Sequence, residues 1–217
     1  MAKTILSKKQ QIILNAISSN ANICKIFYLT GGTALAEYYL QHRLSEDLDF
    51  FSKKEFDPQF ISVFFKKNTK KLNIKKIEYQ QSFNRNLFFL YIGGEIIKTE
   101  FTFFPFSRIE KKNKLFIDSL IDIAVNKIFT IYQKPRARDF IDLYFINKKT
   151  GWKISDLIKK AKIKFDWHID FLQLSSQFLL AKEIKDYPIM IKKINHKIWQ
   201  NYFIKEAKRL NKKILKI

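Results

Sequence analysis

Apolar and polar positions change period several times along this chain. Ile12, Ile13, Ala16 and Ile17 recur at helical spacing behind Ser7, which predicts a helix over Lys8–Ser18 with Ser7 as its N-cap. A short apolar run predicts a strand over Ile26–Leu29. Gly31-Gly32 interrupts it, and Thr33–Leu40 reads as a helix. Leu48–Phe51 has strand character, and Asp57-Pro58 opens a helix reaching about Asn68. Beyond it, Ile74–Gln80, Leu87–Ile92 and Ile96–Phe103 read as three strands, with Gly93-Gly94 as a hairpin turn between the last two. Helical spacing returns over Ser119–Gln133, a strongly amphipathic stretch that Pro135 ends, and again over Asp139–Lys148. After the break at Thr150-Gly151 the chain is helical and rich in lysine.

The order is a helix, then mixed helices and strands with an antiparallel hairpin, then helices only. That order predicts an α/β (α+β) fold in which a mixed sheet is flanked by helices and followed by a C-terminal helical bundle. The expected division is a domain over 1–149 and a helical region over 150–217.

Composition adds three constraints. With 47% apolar and 16% aromatic residues among 217, the chain can bury a sizeable core. Its 41 basic and 20 acidic residues leave a net charge of +21, which favours polyanionic partners, RNA or DNA first. AT-rich coding bias is the competing explanation, since Lys, Ile, Asn and Phe are all abundant. The single cysteine, Cys24, excludes an intrachain disulfide and a multi-thiolate metal site. It lies in an apolar run, is expected to be a small core residue, and suits a reducing cytoplasm. The opening MAKTILSKKQQIILNAI has no signal-peptide apolar segment. No apolar run reaches the ~18–20 residues a membrane span needs, so no membrane partner is expected.

The chemistry concentrates between Tyr28 and Phe51. Asp47 and Asp49 are two apart at a strand start and so point to one face. Paired carboxylates make a hard-oxygen site suited to Mg²⁺. Gly31-Gly32-Thr33 opens a helix just upstream, where free N–H groups without an obstructing Cβ suit a phosphate. The bland alternative is a pair of solvated aspartates, but Phe50 and Phe51 continue an apolar strand directly behind them. Together the glycine turn and the pair point to metal-assisted phosphoryl or nucleotidyl transfer. Glu100 is the candidate third carboxylate, as metal ligand or general base. It shares a strand face with Lys98 and Thr102, and an antiparallel neighbour to the Asp47 strand would bring it beside the pair.

Other charged positions carry two readings each. Lys127 sits in an otherwise apolar helix, where it either reaches a triphosphate or snorkels to the surface. Asp139 and Asp142 share a helix face. Asp139 is a candidate cap and Asp142 a candidate arginine partner. Arg136 and Arg138 either meet phosphates or balance those aspartates. Arg43, beside His42 and Ser45 in the loop before the Asp pair, is either a phosphate ligand or half of a structural salt bridge. The three histidines, His42, His168 and His196, are too scattered for a zinc site.

These residues also resemble a known family. Gly31-Gly32-Thr33-Ala34-Leu35 followed by His42-Arg43-x-Ser45-x-Asp47-Leu48-Asp49-Phe50-Phe51 resembles the AbiEii/AbiGii-type nucleotidyltransferase toxins of the DNA polymerase β-like superfamily. Asp122–Lys127 and Arg138-Asp139-x-x-Asp142-Leu143-Tyr144 resemble the distal motifs of that family. The likeness spans roughly residues 24–147. It implies a minimal polymerase β-like fold, a nucleoside triphosphate donor and Mg²⁺. It also implies that Gly31, Gly32, Thr33, Arg43 and Ser45 bind the nucleotide, with Lys127 on its phosphates. Asp47 and Asp49, joined by Glu100, would bind metal, and Asp139 would complete the catalytic set. Thr33 stands where the superfamily often has serine, and Glu100 where many members have aspartate. Members include toxins of toxin–antitoxin and phage-defence systems, some acting on the acceptor end of tRNA. The resemblance therefore implies a tRNA or other RNA acceptor and a cognate antitoxin. Transfer to a protein or small molecule, or an inactive RNA-binding relative, is the alternative.

Overall fold

The computed structural model describes residues 4–106, 111–112 and 116–214. The chain forms two compact units. One comprises Met1–Tyr39 with Leu44–Asp118, the other Leu40–Arg43 with Ser119–Ile217. The units thus divide at Asp118/Ser119, whereas the sequence placed a boundary at 149/150. The physical reason is that α5 (Leu120–Gln133) and α6 (Ala137–Thr150) pack with the helices that follow them.

The first unit is built on a seven-stranded mixed sheet. Its strands are β1 (Phe27–Thr30), β2 (Leu48–Ser52), β3 (Ile74–Ser82), β4 (Arg85–Ile92), β5 (Glu95–Phe103), β6 (Lys111–Lys112) and β7 (Ile117–Asp118). Their spatial order is β3-β4-β5-β2-β1-β7-β6. The expected hairpin at Gly93-Gly94 joins β4 to β5, and both glycines have positive φ.

β5 is the neighbour expected beside the Asp47 strand, but it runs parallel to β2 rather than antiparallel. The correction follows from the connection. Helix α4 (Pro58–Lys67) crosses from β2 to β3, so those two strands run the same way. The β3–β4–β5 meander then returns β5 in that direction. Asp49 still lies opposite Glu100, and on its other side β1 places Thr30 opposite Asp49.

Short helices precede and follow β1. In α1 (Lys8–Ser18) a full capping box holds the start: Ser7 Oγ accepts from the Gln10 N–H, and Gln10 Oε1 accepts from the Ser7 N–H. The sequence did not anticipate α2 (Ala21–Ile26), capped by Asn20. Cys24 sits on it half-buried rather than in the core. Helix α3 (Gly31–Leu35) continues as a π-helical turn over Ala36–Leu40, where a single helix was expected.

The core of this unit is aromatic. Phe101 is fully buried on β5, and its ring lies within 6.3 Å of those of Phe27, Phe50, Phe65 and Phe88. These rings come from β1, β2, α4 and β4, so one side chain ties helix to sheet.

The second unit is helical: α5, α6, α7 (Ile154–Phe165), α8 (Phe171–Leu179) and α9 (His196–Ile214). Ser119, expected as the first residue of this helix, instead caps α5, accepting from the Asp122 N–H. Phe140, Phe178, Trp199 and Phe203 pack together in its core, with Phe140 stacked on Trp199 and edge-on to Phe178 and Phe203. A buried ion pair, Lys164 Nζ to Asp122 Oδ1 at 2.8 Å, joins α7 to α5. No helix among the described residues is long and apolar enough to cross a membrane.

Phe101→Ala should leave a cavity beneath four rings and cost about 3–5 kcal/mol. Urea denaturation should show the midpoint falling accordingly. An unchanged midpoint would mean that the ring cluster does not hold helix to sheet.

Candidate active site

Gly31 turns the chain from β1 into α3 at φ +70. A Cβ there would meet Asp49 Oδ2 at 2.6 Å, so only glycine lets the turn pass against that carboxylate. The glycine turn and the aspartate pair, separate in sequence, are therefore one place in the first unit. Thr33 is fully buried, and its hydroxyl lies 2.8 Å from Ser45 Oγ and also donates to the Asp47 carbonyl. It thus fastens the loop that delivers Asp47. Gln10 reaches the same loop from α1, donating through Nε2 to the Ser45 carbonyl at 2.8 Å and the Glu46 carbonyl at 2.9 Å.

Negative charge collects on this side of the sheet and draws two cations. Lys98 Nζ lies 3.1 Å from Asp47 Oδ2 and 4.0 Å from Glu100 Oε2. Arg85 grips Glu100 with two parallel bonds, Nε to Oε1 at 2.7 Å and Nη2 to Oε2 at 2.6 Å. Thr102 Oγ1 adds a third, 2.9 Å from Oε1. Burial pushes the Glu100 carboxyl up, but the bonds and charge of Arg85, with help from Thr102 and Lys98, bring it below its ordinary value. Glu100 is therefore an ionised carboxylate already committed to an arginine. Among the described residues, no three acidic, histidine or cysteine side chains converge as a metal cage. The donors that fit a divalent cation are Asp47 and Asp49, two hard oxygen ligands beside a turn kept clear of any Cβ. Lys98 holds a positive charge against one of them.

The remaining expected site residues lie in the second unit, around Asp142. Fully buried, Asp142 meets Arg43 Nε at 2.7 Å and Nη2 at 2.8 Å, Lys127 Nζ at 2.7 Å and His42 Nε2 at 2.8 Å. Lys127 also meets Asp139 Oδ1 at 2.6 Å, and Arg136 lies 3.4 Å from Asp139 Oδ2. Of the two readings open for Arg43, the structure shows the salt bridge. Lys127, expected on phosphates, is buried between two aspartates. Asp139 ties Lys127 rather than capping its helix. Backbone N–H groups of Ile191 and Lys192 donate to the His42 carbonyl, and Lys192 Nζ donates to the Leu40 carbonyl, so residues 40–43 are clasped within this unit.

Burial alone would raise Asp142, yet the charges of Arg43 and Lys127 and the bonds from Arg43 and His42 hold it well below 3.8. Burial lowers His42 below 6.5 despite the bond to Asp142, so it is neutral in the folded state and donates through Nε2. Sequence reasoning missed Lys98, Arg85 and Gln10 as parts of the site. Lys98 shares the Glu100 strand face and was legible there; Arg85 and Gln10 needed the fold.

Asp142→Asn should cost about 3–5 kcal/mol, because buried Arg43 loses its counter-charge and Lys127 loses one of its two carboxylates. The depressed Asp142 contributes stability that is complete above pH 3.8 and is lost as pH falls through its folded value. The depressed His42 gives the same sign higher up. Below 6.5 the unfolded chain binds a proton that folded His42 refuses, so stability falls on acidification from pH 7 to 5. The contribution of this one group to the slope cannot exceed ~1.4 kcal/mol per pH unit. His42→Gln, which keeps a donor but cannot titrate, should flatten it in urea melts across that range. An equally steep slope in the variant would contradict the assignment.

A family model for the nucleotidyl transferase AbiEii toxin of type IV toxin–antitoxin systems matches residues 12–210. An uncharacterized Aquifex aeolicus (strain VF5) protein, aq_aa25, is 38% identical over 170 residues, covering 76% of this chain and 78% of the relative. Among solved structures, JHP933 from Helicobacter pylori superposes with TM-score 0.61 at 19% identity, over 97% of this chain and 95% of that one. A second H. pylori structure, named provisionally as a nucleotidyltransferase, superposes with TM-score 0.57 at 18% identity, over 97% and 98%. These two likenesses establish the fold, a mixed sheet flanked by helices. The family match adds the activity, nucleotidyl transfer in a toxin–antitoxin setting with a nucleoside triphosphate substrate and a cognate antitoxin. The chain belongs to the AbiEii nucleotidyltransferase toxin family.

Proposed function

We propose that this nucleotidyltransferase moves a nucleoside monophosphate from a triphosphate to the 3′ end of an RNA, with tRNA the first candidate acceptor, in the cytoplasm and with Mg²⁺. One observation carries the reading: Asp49 packs against a glycine turn that only a missing side chain permits. That contact sets a carboxylate beside backbone N–H groups that suit a phosphate. The net charge of +21 supports a polyanionic acceptor over a neutral one.

In this proposal Gly31, Gly32 and Thr33 cradle the triphosphate through their backbone, and the Thr33 hydroxyl and Ser45 hold the Asp47 loop in place. Asp47 and Asp49 would hold Mg²⁺. When bound, the ion would offset negative charge on the phosphates and lower the pKa of a coordinated hydroxyl. The acceptor oxygen forms a bond to the α-phosphorus as the bond to the bridging oxygen breaks, and pyrophosphate leaves with that electron pair. The hydroxyl proton is assigned to Glu100, which Arg85 keeps ionised and oriented. Lys98 and Arg85 supply positive charge beside the carboxylates. Arg43, Lys127 and Asp139 are assigned to positioning, because their charges are spent on one another and on Asp142.

Incubation with each α-³²P-labelled triphosphate, Mg²⁺ and total tRNA should label the tRNA. Asp47→Asn/Asp49→Asn should lower that rate by roughly 10³-fold or more, the scale of losing Lewis-acid stabilisation of a few kcal/mol. Label on extract proteins instead of tRNA would replace RNA as the acceptor. Asp-independent labelling would overturn the assignment of the pair.

A further inference from the structure

Phe83 stands at the tip of the β3–β4 hairpin, and it is 95% exposed. Ser82 pairs with Arg85, so the loop has two residues, Phe83 and Asn84. The first has φ +54. Positive φ at the first position of a two-residue hairpin loop is where glycine is usual, and a bulky side chain is a genuine outlier there. The chain thus accepts backbone strain and displays a large apolar ring to water, with no burial in return. Such an outlier points to a use outside the folding of the unit itself.

The tip is also held in position. Asn84 Nδ2 donates to the Phe103 carbonyl at 2.6 Å, and the Phe103 N–H donates to the Asn84 carbonyl at 3.3 Å. Gln81 Nε2 lies 3.5 Å from the Phe83 carbonyl. Two residues on, Arg85 makes its paired bonds to Glu100. In register, Arg85 lies opposite Thr102 and Leu87 opposite Glu100. Phe83 is therefore about four residues, or ~13 Å, along the strand from the level of Glu100 and its register partner Asp49. Around it are the half-exposed guanidinium of Arg85 and the exposed amides of Gln80, Gln81 and Asn84. A flat apolar ring among a cation and amides is chemistry that receives a nucleobase: the ring stacks on the base, and the polar groups take its edge or its phosphate.

We propose that Phe83 is a stacking platform for a nucleobase whose phosphate or sugar lies at the Asp47–Asp49–Glu100 cluster. The inference rests on the nucleotidyl-transfer reading for which ligand arrives, though its test does not need turnover. Two sources share this chemistry, the base of the donor triphosphate and an unpaired base of the acceptor strand.

The full-length protein, Phe83→Trp and Phe83→Gly distinguish them. Phe83→Trp keeps a ring and adds a fluorescent reporter, with wild-type protein as the control for Trp152, Trp167 and Trp199. Phe83→Gly suits the positive φ, so its thermal midpoint should stay or rise. Each nucleoside triphosphate, and separately a short single-stranded RNA, is titrated at fixed salt. Quenching of the Phe83→Trp signal by a triphosphate, with about tenfold weaker binding of it by Phe83→Gly, supports the platform and assigns the donor base. The same pair of results with RNA alone supports it and assigns the acceptor. No quenching by either probe, with Phe83→Gly binding both as wild type does, overturns the proposal, even if label transfer to tRNA is seen. Quenching and weakened binding without any label transfer would keep the platform and remove the transfer reading instead.

Discussion

Carboxylates on neighbouring strands repel, and in the first unit that repulsion is met by cations of the same sheet. Asp49 and Glu100 are register partners on parallel β2 and β5, and Asp47 precedes Asp49 on the same side. At such spacings, like charges cost free energy even near a protein surface. Arg85 and Lys98 answer from β4 and β5, so the meander that returns beside β2 also brings the compensating charge. The sheet order is thus an electrostatic arrangement as much as a hydrophobic one. The ring of Phe101, one residue beyond Glu100, points to the opposite face and anchors the strand that carries the charge.

The second unit solves a similar problem in the opposite way. Asp142 is as fully enclosed as its neighbours allow, and Arg43, Lys127 and His42 surround it. Such a network has little freedom to exchange partners, since releasing one cation leaves a buried charge unmatched. Around Asp47 the cations are more accessible: the side chain of Lys98 is 26% exposed and that of Arg85 49%. A pair open to water is worth less and gives way more readily. The contrast separates a fixed structural knot from a cluster able to trade its cations for a ligand.

Much of this was legible in the sequence because its signals are local. The Ser7 cap, the Gly93-Gly94 turn and the alternation of Lys98, Glu100 and Thr102 each depend on a few adjacent residues, and each appears as expected. What was not legible depends on where distant segments meet. The direction of β5 is set by α4 and a whole meander, not by its own residues. Arg43 and Asp142 are 99 positions apart, so their pairing awaited the fold. Lys127 looked like a phosphate ligand because a lysine in an apolar helix is unusual; its partners were two aspartates one helix further on.

The two kinds of charge site also bear on where the net positive charge of the chain acts. Arg43, Lys127 and Lys164 are buried with acidic partners, so basic and acidic charge leave solvent together and the excess of 41 basic over 20 acidic residues stays on the rest of the chain. Each such pair adds no net charge and little external field. The positive field that reaches a polyanion comes instead from exposed lysines such as Lys75, Lys159 and Lys160. That field accelerates encounter and is screened by salt, but it reads no chemistry. Selectivity must come from groups held in place. In the first unit the pinned elements are the Gly31 turn against Asp49 and the Gln10-clamped loop before Asp47. Diffuse charge brings the ligand, and these few rigid contacts decide what can react.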